Sequence, residues 1–433
     1  MLIRRAVLLD GTAIDLRVDD CIVETGNLTA QSGEQVLDAA GWTVIPGLHD
    51  HHVHLRSAAA ALTSVRVGPT TVRGHGDLAT VLAQARVSSD GWIRAVEYHE
   101  SVAGPLDREL LDELSPPVPV RVQHRSGVLW TLNSAGLARV GLSDHPDGRL
   151  RSADRSWSDM LQRNDVGLAD VSRRLSERGV TGVTDATPDL EAPDIVKLTA
   201  ARRHGQLAQR VHCLAPGKRI LHDADLDLAA LTGWIAERHD AGAPVAVHCV
   251  TAAQLVVTIS ALDEAGTHAR DRIEHAAVVP DDSVSGLRNL GVTVVTQPNF
   301  VAERGDQYLA DVAAAEHHEL WRLDSLLKAG VPVALSTDMP FGDGDPWATM
   351  RAAVHRTTAA GVVLGPGERI SARQALTMFL GSAEAPTAPR AVQPGQPGDL
   401  CLLAATPEEV LADLDAQMVV ATIVAGNVVY ERR

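Results

Sequence analysis

The sequence predicts an α/β fold: a (β/α)8 barrel of the TIM type, with a small β-sandwich built from the two ends of the chain. Three observations carry this. First, a helical pattern that ends in glycine and runs at once into a β-branched strand recurs along the middle of the chain. It appears at Arg178-Gly179-Val180, Ala241-Gly242-Ala-Pro-Val-Ala-Val, Leu290-Gly291-Val-Thr-Val-Val and Ala329-Gly330-Val-Pro-Val-Ala-Leu. Glycine suits the residue after a helix because it takes φ > 0 without a Cβ clash. Second, the strands are unbroken apolar runs, the mark of parallel strands buried on both faces. Repetition over 433 residues favours a barrel over a doubly wound sheet. No G-x-G-x-x-G follows a strand and no Walker loop occurs, which weakens a nucleotide-binding sheet further. Third, both ends read as short strands and hairpins.

The elements follow in order. Residues 1–45 alternate apolar and polar, as in Ile14-Asp15-Leu16-Arg17-Val18, with turn signals at Asp10-Gly11 and Thr25-Gly26-Asn27. Residues 386–433 return to this pattern, with a hairpin turn expected at Gly426-Asn427. The two ends are expected to pair into one composite domain, 1–45 with 386–433, around a barrel at 46–385. An insertion is expected at about 56–170, where the repeat fails but strand-like runs remain at Trp92-Ile-Arg-Ala-Val and Val118-Pro-Val-Arg-Val. The helix before Gly242 should bury Leu228, Leu231 and Ile235 on one face.

Composition narrows the function. The formal charge of −16 and the lack of any Lys/Arg run argue against sequence-independent nucleic-acid binding, which displaces counterions with cationic side chains. The four cysteines, Cys21, Cys213, Cys249 and Cys401, are far apart and never in C-x-x-C spacing, as in a reducing cytoplasm rather than a disulfide or zinc-ribbon scaffold. The opening MLIRRAVLLDG has an apolar run too short for a signal peptide, and no stretch reaches the roughly 20 apolar residues of a membrane helix. A soluble cytoplasmic protein is expected. A homo-oligomer is compatible with the sequence.

The densest chemical feature is Pro46-Gly-Leu-His49-Asp-His51-His52-Val-His54, entered directly from the strand Trp42-Thr-Val-Ile. Residues two apart on a strand share a face, so His52 and His54 can hold one cation; His49 and His51 form a competing pair. Among 18 histidines one H-x-H is unremarkable. Other strand ends supply the rest: His248 after Val245-Ala-Val, His275 after Arg272-Ile-Glu, and Asp338 after Val333-Ala-Leu-Ser-Thr. Barrel active sites lie at the carboxyl ends of strands. Imidazole and carboxylate are ligands for zinc and related divalent ions.

With these residues in place the chain resembles the amidohydrolase superfamily of metal-dependent hydrolases. The resemblance rests on Val44-Ile-Pro-Gly-Leu-His-Asp-His-His-Val-His54, His248, Ile273-Glu-His275, Ser336-Thr-Asp338 and Gly398-Asp399-Leu400, and spans nearly the whole chain. Trp92–Ser101, Pro119–Leu137 with Asn133-Ser134, and Gly179-Val-Thr-Gly-Val-Thr-Asp185 are similar to the branch containing N-substituted formamide deformylases. The resemblance implies metal ligation by His52, His54, His248, His275 and Asp338. It also implies a lysine on the fourth strand, carboxylated in many members, that bridges two ions. Lys218 is the candidate, although a surface lysine after a turn is an equally open reading and the segment from Leu214 is short for a strand-to-strand crossover. One or two ions, most naturally zinc, are expected. That branch has a His after the Gly of Gln123-His124-Arg-Ser-Gly-Val128, where this chain has Val128.

The expected chemistry is hydrolysis of a C–N bond in a small molecule. A divalent ion brings the pKa of its water from 15.7 to about 7, and Asp338 acts as general base. His99, His124 and Arg125, in the insertion, are candidate substrate-binding residues; a solvated-loop reading is also open for them. The alternatives are a deaminase, an ester or lactone hydrolase, and a silent ligand-binding barrel. The deaminase is disfavoured because no carboxylate closely follows His248. Silence is disfavoured because all five ligand positions are filled.

Overall fold

The computed structural model describes residues 1–432 except 153–156, 158–159, 162–166 and 189. Part of the expected insertion therefore lies outside the described residues. Two compact units emerge: Met1–Leu55 together with Leu168–Arg433, and Arg56–Gly167.

The larger unit is a mixed α/β fold. Its parallel strands are β1 (Leu48–Val53), β2 (Val180–Asp185), β3 (Arg210–Cys213), β4 (Lys218–Ile220), β5 (Ala246–Cys249), β6 (Arg272–His275), β7 (Thr293–Thr296) and β8 (Val333–Leu335). They form a three-stranded sheet ordered β3-β2-β1 and a five-stranded sheet ordered β4-β5-β6-β7-β8. β1, β2 and β6 are buried at every position, as parallel strands covered on both faces are, although β1 (LHDHHV) and β6 (RIEH) carry mostly polar side chains. Just beyond β8 the chain returns to β1: Asp338 N–H donates to His52 O (3.0 Å), and His54 N–H donates to Met339 O (2.8 Å).

The helix–glycine–strand boundaries form for the stated reason. Gly179 (φ +78°), Gly242 (+68°), Gly291 (+65°) and Gly330 (+82°) all lie in the left-handed region. At Gly179 space is also decisive, since a Cβ would stand 2.5 Å from Cys401 Sγ. Helix Leu228–Asp240 is capped by Asp227, whose side chain accepts from Ala230 N–H, and it buries Leu231 and Ile235. Leu228 departs from the expected face: it opens the helix, ahead of the packed stretch, and is 40% exposed.

Strands from both ends of the chain share one sheet. Leu400–Leu403 pairs antiparallel with Thr43–Pro46 and with Val419–Val424. Its core includes Ile3, Leu16, Ile22, Val44, Leu402 and Ile423. The last hairpin turns one residue earlier than expected. Val424 pairs with Asn427, so Ala425 (φ +48°) and Gly426 (+71°) are the central residues. A two-residue turn of this hand needs positive φ at both positions.

The smaller unit has its own five-stranded sheet, running Arg149–Arg151, Leu129–Leu132, Val120–His124, Ile93–Tyr98 and Val65–Arg66. Leu78, Leu82, Ile93, Leu111, Val120 and Val122 form its core, with a second cluster around Trp92, Trp130 and Trp157. Among the described residues of the chain, no helix is long and apolar enough to cross a membrane.

Candidate metal centre

β1 is buried along its whole length, so its polar side chains must find partners inside the protein. His52 does so on both sides. Its Nδ1 is hydrogen-bonded to Glu274 Oε2, and its Nε2 lies 3.0 Å from Lys218 Nζ. His54 follows the end of β1 and turns its Nδ1 to Thr187 Oγ1 at 3.3 Å. Asp338 comes three residues after β8. His52 Nε2, His54 Nε2 and an Asp338 oxygen lie within 4.8 Å of one another. The remaining two expected ligands stand beside them. The His275 ring is 4.8 Å from that of His52 and 4.4 Å from that of His248, centroid to centroid.

The chain is bent to make this arrangement. His275 (φ +71°) and Asp338 (φ +55°) both hold a left-handed backbone that non-glycine residues avoid. Such strain persists only where surrounding bonds over-determine it. For Asp338 the bonds are visible next door: Asp50 accepts from Thr337 N–H (3.0 Å) and Thr337 Oγ1–H (2.5 Å). For His275, Gln297 Oε1 fixes Nδ1 at 2.7 Å, and Gln297 is itself held by Ser336 Oγ at 2.8 Å.

The electrostatics suit a cation. Burial, then nearby Lys218 and His275, pushes His52 well below the usual imidazole range. Burial also pushes His248 well below it and lowers His275. These rings are therefore neutral, the form that ligates a metal. Burial works against ionising Asp338, but the close approach of His54 and the nearby His275 and Lys218 outweigh it and hold the carboxyl below its ordinary value. Its Oδ1 is buried without a hydrogen-bond partner, 3.5 Å from His54 Nε2 and 3.6 Å from His52 Nε2. A buried carboxylate oxygen without a donor is costly, and a divalent ion among these atoms would satisfy it. The residues fit the group.

Lys218 is not a surface lysine. It is 6% exposed, and burial lowers its pKa to about 8. The short connection from Leu214 also has an explanation. β3 and β4 are edges of different sheets and are not hydrogen-bonded to each other, so no crossover between paired strands is required.

The other pair of histidines on β1 takes no part. His49 Nε2 is engaged by Thr184 Oγ1 at 2.9 Å and its ring lies 4.7 Å from that of His51. His99 and His124 belong to the smaller unit and are brought together there. Both Nε2 atoms face Glu100 Oε2, at 3.7 Å and 3.1 Å. Each Nδ1 accepts a backbone N–H, from Ser101 and from Ser126. His99, Glu100 and His124 thus form a second group of side chains that could hold a metal ion. Arg125 is seen through its backbone, whose N–H donates to Tyr98 O at 2.8 Å.

Sequence reasoning passed over the residues that orient the ligands: Glu274, Gln297, Asp50 and Arg272. Glu274 carried the plainest signal. A glutamate on an all-buried strand, one residue before a candidate ligand histidine, must find a buried partner, and it holds His52 and Arg272 together.

The sequence profile of the amidohydrolase family matches residues 35–430. The chain belongs to the amidohydrolase family. It is thus an enzyme, a metal-dependent amidohydrolase, and His52, His54 and Asp338 form a cluster that could hold a metal ion. The N-substituted formamide deformylase of Arthrobacter pascens is 24% identical, over 92% of this chain and 90% of that protein. Among solved structures, an uncharacterized metal-dependent hydrolase from Pyrococcus horikoshii OT3 superposes with a TM-score of 0.70 at 17% identity, over 95% of this chain and 98% of its own. A second, from Pyrococcus furiosus, does so with a TM-score of 0.64 at 20% identity, covering 87% and 92%. These two share the fold of this amidohydrolase.

Proposed function

We propose that this amidohydrolase cleaves a C–N, amide-type bond of a small molecule with water, on a closed (β/α)8 barrel flanked by a β-sandwich of the two chain ends. The observation that carries the reading is Asp338 Oδ1, buried, without a hydrogen-bond donor, and facing the Nε2 atoms of His52 and His54. In this reading His52, His54, His248, His275 and Asp338 hold zinc. The ion supplies a nucleophile at neutral pH by lowering the pKa of coordinated water to about 7, and it polarises the scissile carbonyl. Asp338, kept ionised, accepts the proton of the attacking water at its carboxylate and hands it to the leaving nitrogen. Glu274 and Gln297 hold the His52 and His275 rings while the proton moves.

Lys218 completes a two-ion centre in this reading. Its lowered pKa gives Nζ a neutral fraction with a free lone pair. That lone pair could form an N–C bond to the carbon of carbon dioxide with release of a proton from nitrogen, and the resulting carbamate would supply oxygen ligands to the ions. Similarity to an N-substituted formamide deformylase supports an N-acyl or N-formyl substrate. The test is a screen of N-formyl, N-acyl, cyclic amide and ester compounds with zinc or manganese added. Amide cleavage that is lost on chelation and restored by either metal is the expected result. Turnover in chelated protein, or turnover of esters alone, overturns the reading.

A further inference from the structure

A cavity of about 350 Å³ lies where β4 falls short. β4 has only three residues and first meets β5 at Ala246, so no strand covers the chain before that point on this side. The turn Leu214–Gly217, His212 of β3, and the first residues of β5 and β6 wall the space. It is separate from the metal centre, since none of His52, His54, His248, His275 or Asp338 lines it.

Its lining is cationic. Arg238, Arg270 and Arg272 face it, against a single carboxylate, Glu384. Two of these guanidiniums have buried nitrogens without a hydrogen-bond partner: Nε of Arg238 and Nη1 of Arg272. Arg272 is 4% exposed and held rigidly, with Nε 2.7 Å from Glu274 Oε1, and Nη2 2.6 Å from His51 O and 3.1 Å from Glu274 Oε2. Only Nη1 is left over. A buried charged donor without an acceptor is strongly disfavoured, and it marks a position where an acceptor belongs. Arg270 is exposed, and its side chain has no ion pair among the described residues. The neighbouring His212 is pushed down first by burial and further by Arg270 and Arg272, with Glu384 opposing, so a neutral imidazole completes the wall.

We propose that this cavity binds a small oxyanion, a phosphate or a dicarboxylate, held by Arg238, Arg270 and the spare Nη1 of Arg272. The guanidinium fork matches the paired oxygens of both chemistries. The volume is at the lower end of the range for small-molecule sites, enough for either anion. Arg272 is preorganised by Glu274 and loses little freedom on binding.

The test is calorimetric titration of the full chain with inorganic phosphate and, separately, succinate, at an ionic strength fixed by potassium chloride. Saturable binding of one anion per chain is expected, with a rise in Tm of about 2 °C or more near saturation. Binding of phosphate alone assigns a phosphoryl ligand, and binding of succinate alone a carboxylate ligand; either supports the proposal. The double variant Arg238→Ala/Arg270→Ala should weaken binding about tenfold or more with metal content unchanged. Arg270→Ala alone, at an exposed side chain, should act in the same direction. Failure of both anions to bind above the chloride control overturns the proposal. So does undiminished binding in the double variant, which would place the anion on the metal centre instead. Neither result bears on amide hydrolysis.

Discussion

Glu274 Oε2 is hydrogen-bonded to His52 Nδ1, and both side chains are wholly buried. The same carboxylate takes two bonds from Arg272. His52 therefore has one ring orientation, with Nε2 directed at Asp338 and hydrogen-bonded to Lys218 Nζ. A carboxylate behind a ligating imidazole fixes its tautomer and raises its basicity, and loss of such a partner typically costs 10–100-fold in metal affinity. Glu274→Gln keeps the shape and removes the charge. Its metal affinity, read by competition with a chelator, should fall by about that factor. Unchanged affinity would show that Glu274 serves only to pair Arg272.

Asp338→Asn separates ligation from proton transfer. The amide keeps one oxygen for the cation but cannot accept a proton at neutral pH. Removal of a positioned general base costs about 10²–10⁴-fold in turnover. The expected outcome is that loss in kcat with metal content largely retained. Activity near the parent level would remove Asp338 from proton transfer.

The reach of the sequence can be read from these residues. His248 and Asp338 were legible because strand ends announce themselves, with a glycine that closes a helix, an apolar run and then a polar residue, whereas His52 and His54 were read from their H-x-H spacing and His275 from the end of Arg272-Ile-Glu. Lys218 carried no such signal. It opens β4 instead of ending a strand, and only tertiary packing decides that its side chain is buried. Glu274 and Gln297 were hidden for a related reason, since the partner of a buried polar group lies on another strand. His99 and His124 are 25 residues apart and meet only through sheet pairing, with Ile93–Tyr98 beside Val120–His124. The early hairpin turn at Ala425-Gly426 went unseen because alanine does not advertise positive φ.

Lys218→Ala tests the two-ion reading directly. The buried amine stands 3.0 Å from His52 Nε2, where a bridging carbamate would form. Metal analysis should find two ions per parent chain after growth with zinc and bicarbonate, and one in the variant. Two ions retained in the variant would show that the bridge is not needed. Lys218→Met controls for the lost volume and should behave as the alanine variant does.

Arg356 gives a stability prediction away from the chemistry. It is fully buried, and its guanidinium donates to three backbone carbonyls: Leu364 O (2.7 Å), Trp321 O (2.7 Å) and Leu320 O (2.8 Å). Burial lowers its pKa to about 10, so it is charged throughout the neutral range. Hydrogen bonds from a charged donor contribute about 1.5–3 kcal/mol each, and a buried carbonyl left unpaired costs about 1–3 kcal/mol. These terms are not additive within one network, and water can reach part of an emptied site. Arg356→Met, which preserves the apolar stem, should therefore destabilise the chain by about 3 kcal/mol or more in denaturant unfolding. Metal affinity should stay near the parent value, because no candidate ligand bonds to Arg356. A variant within about 0.5 kcal/mol of the parent would mean that water replaces the guanidinium at all three carbonyls.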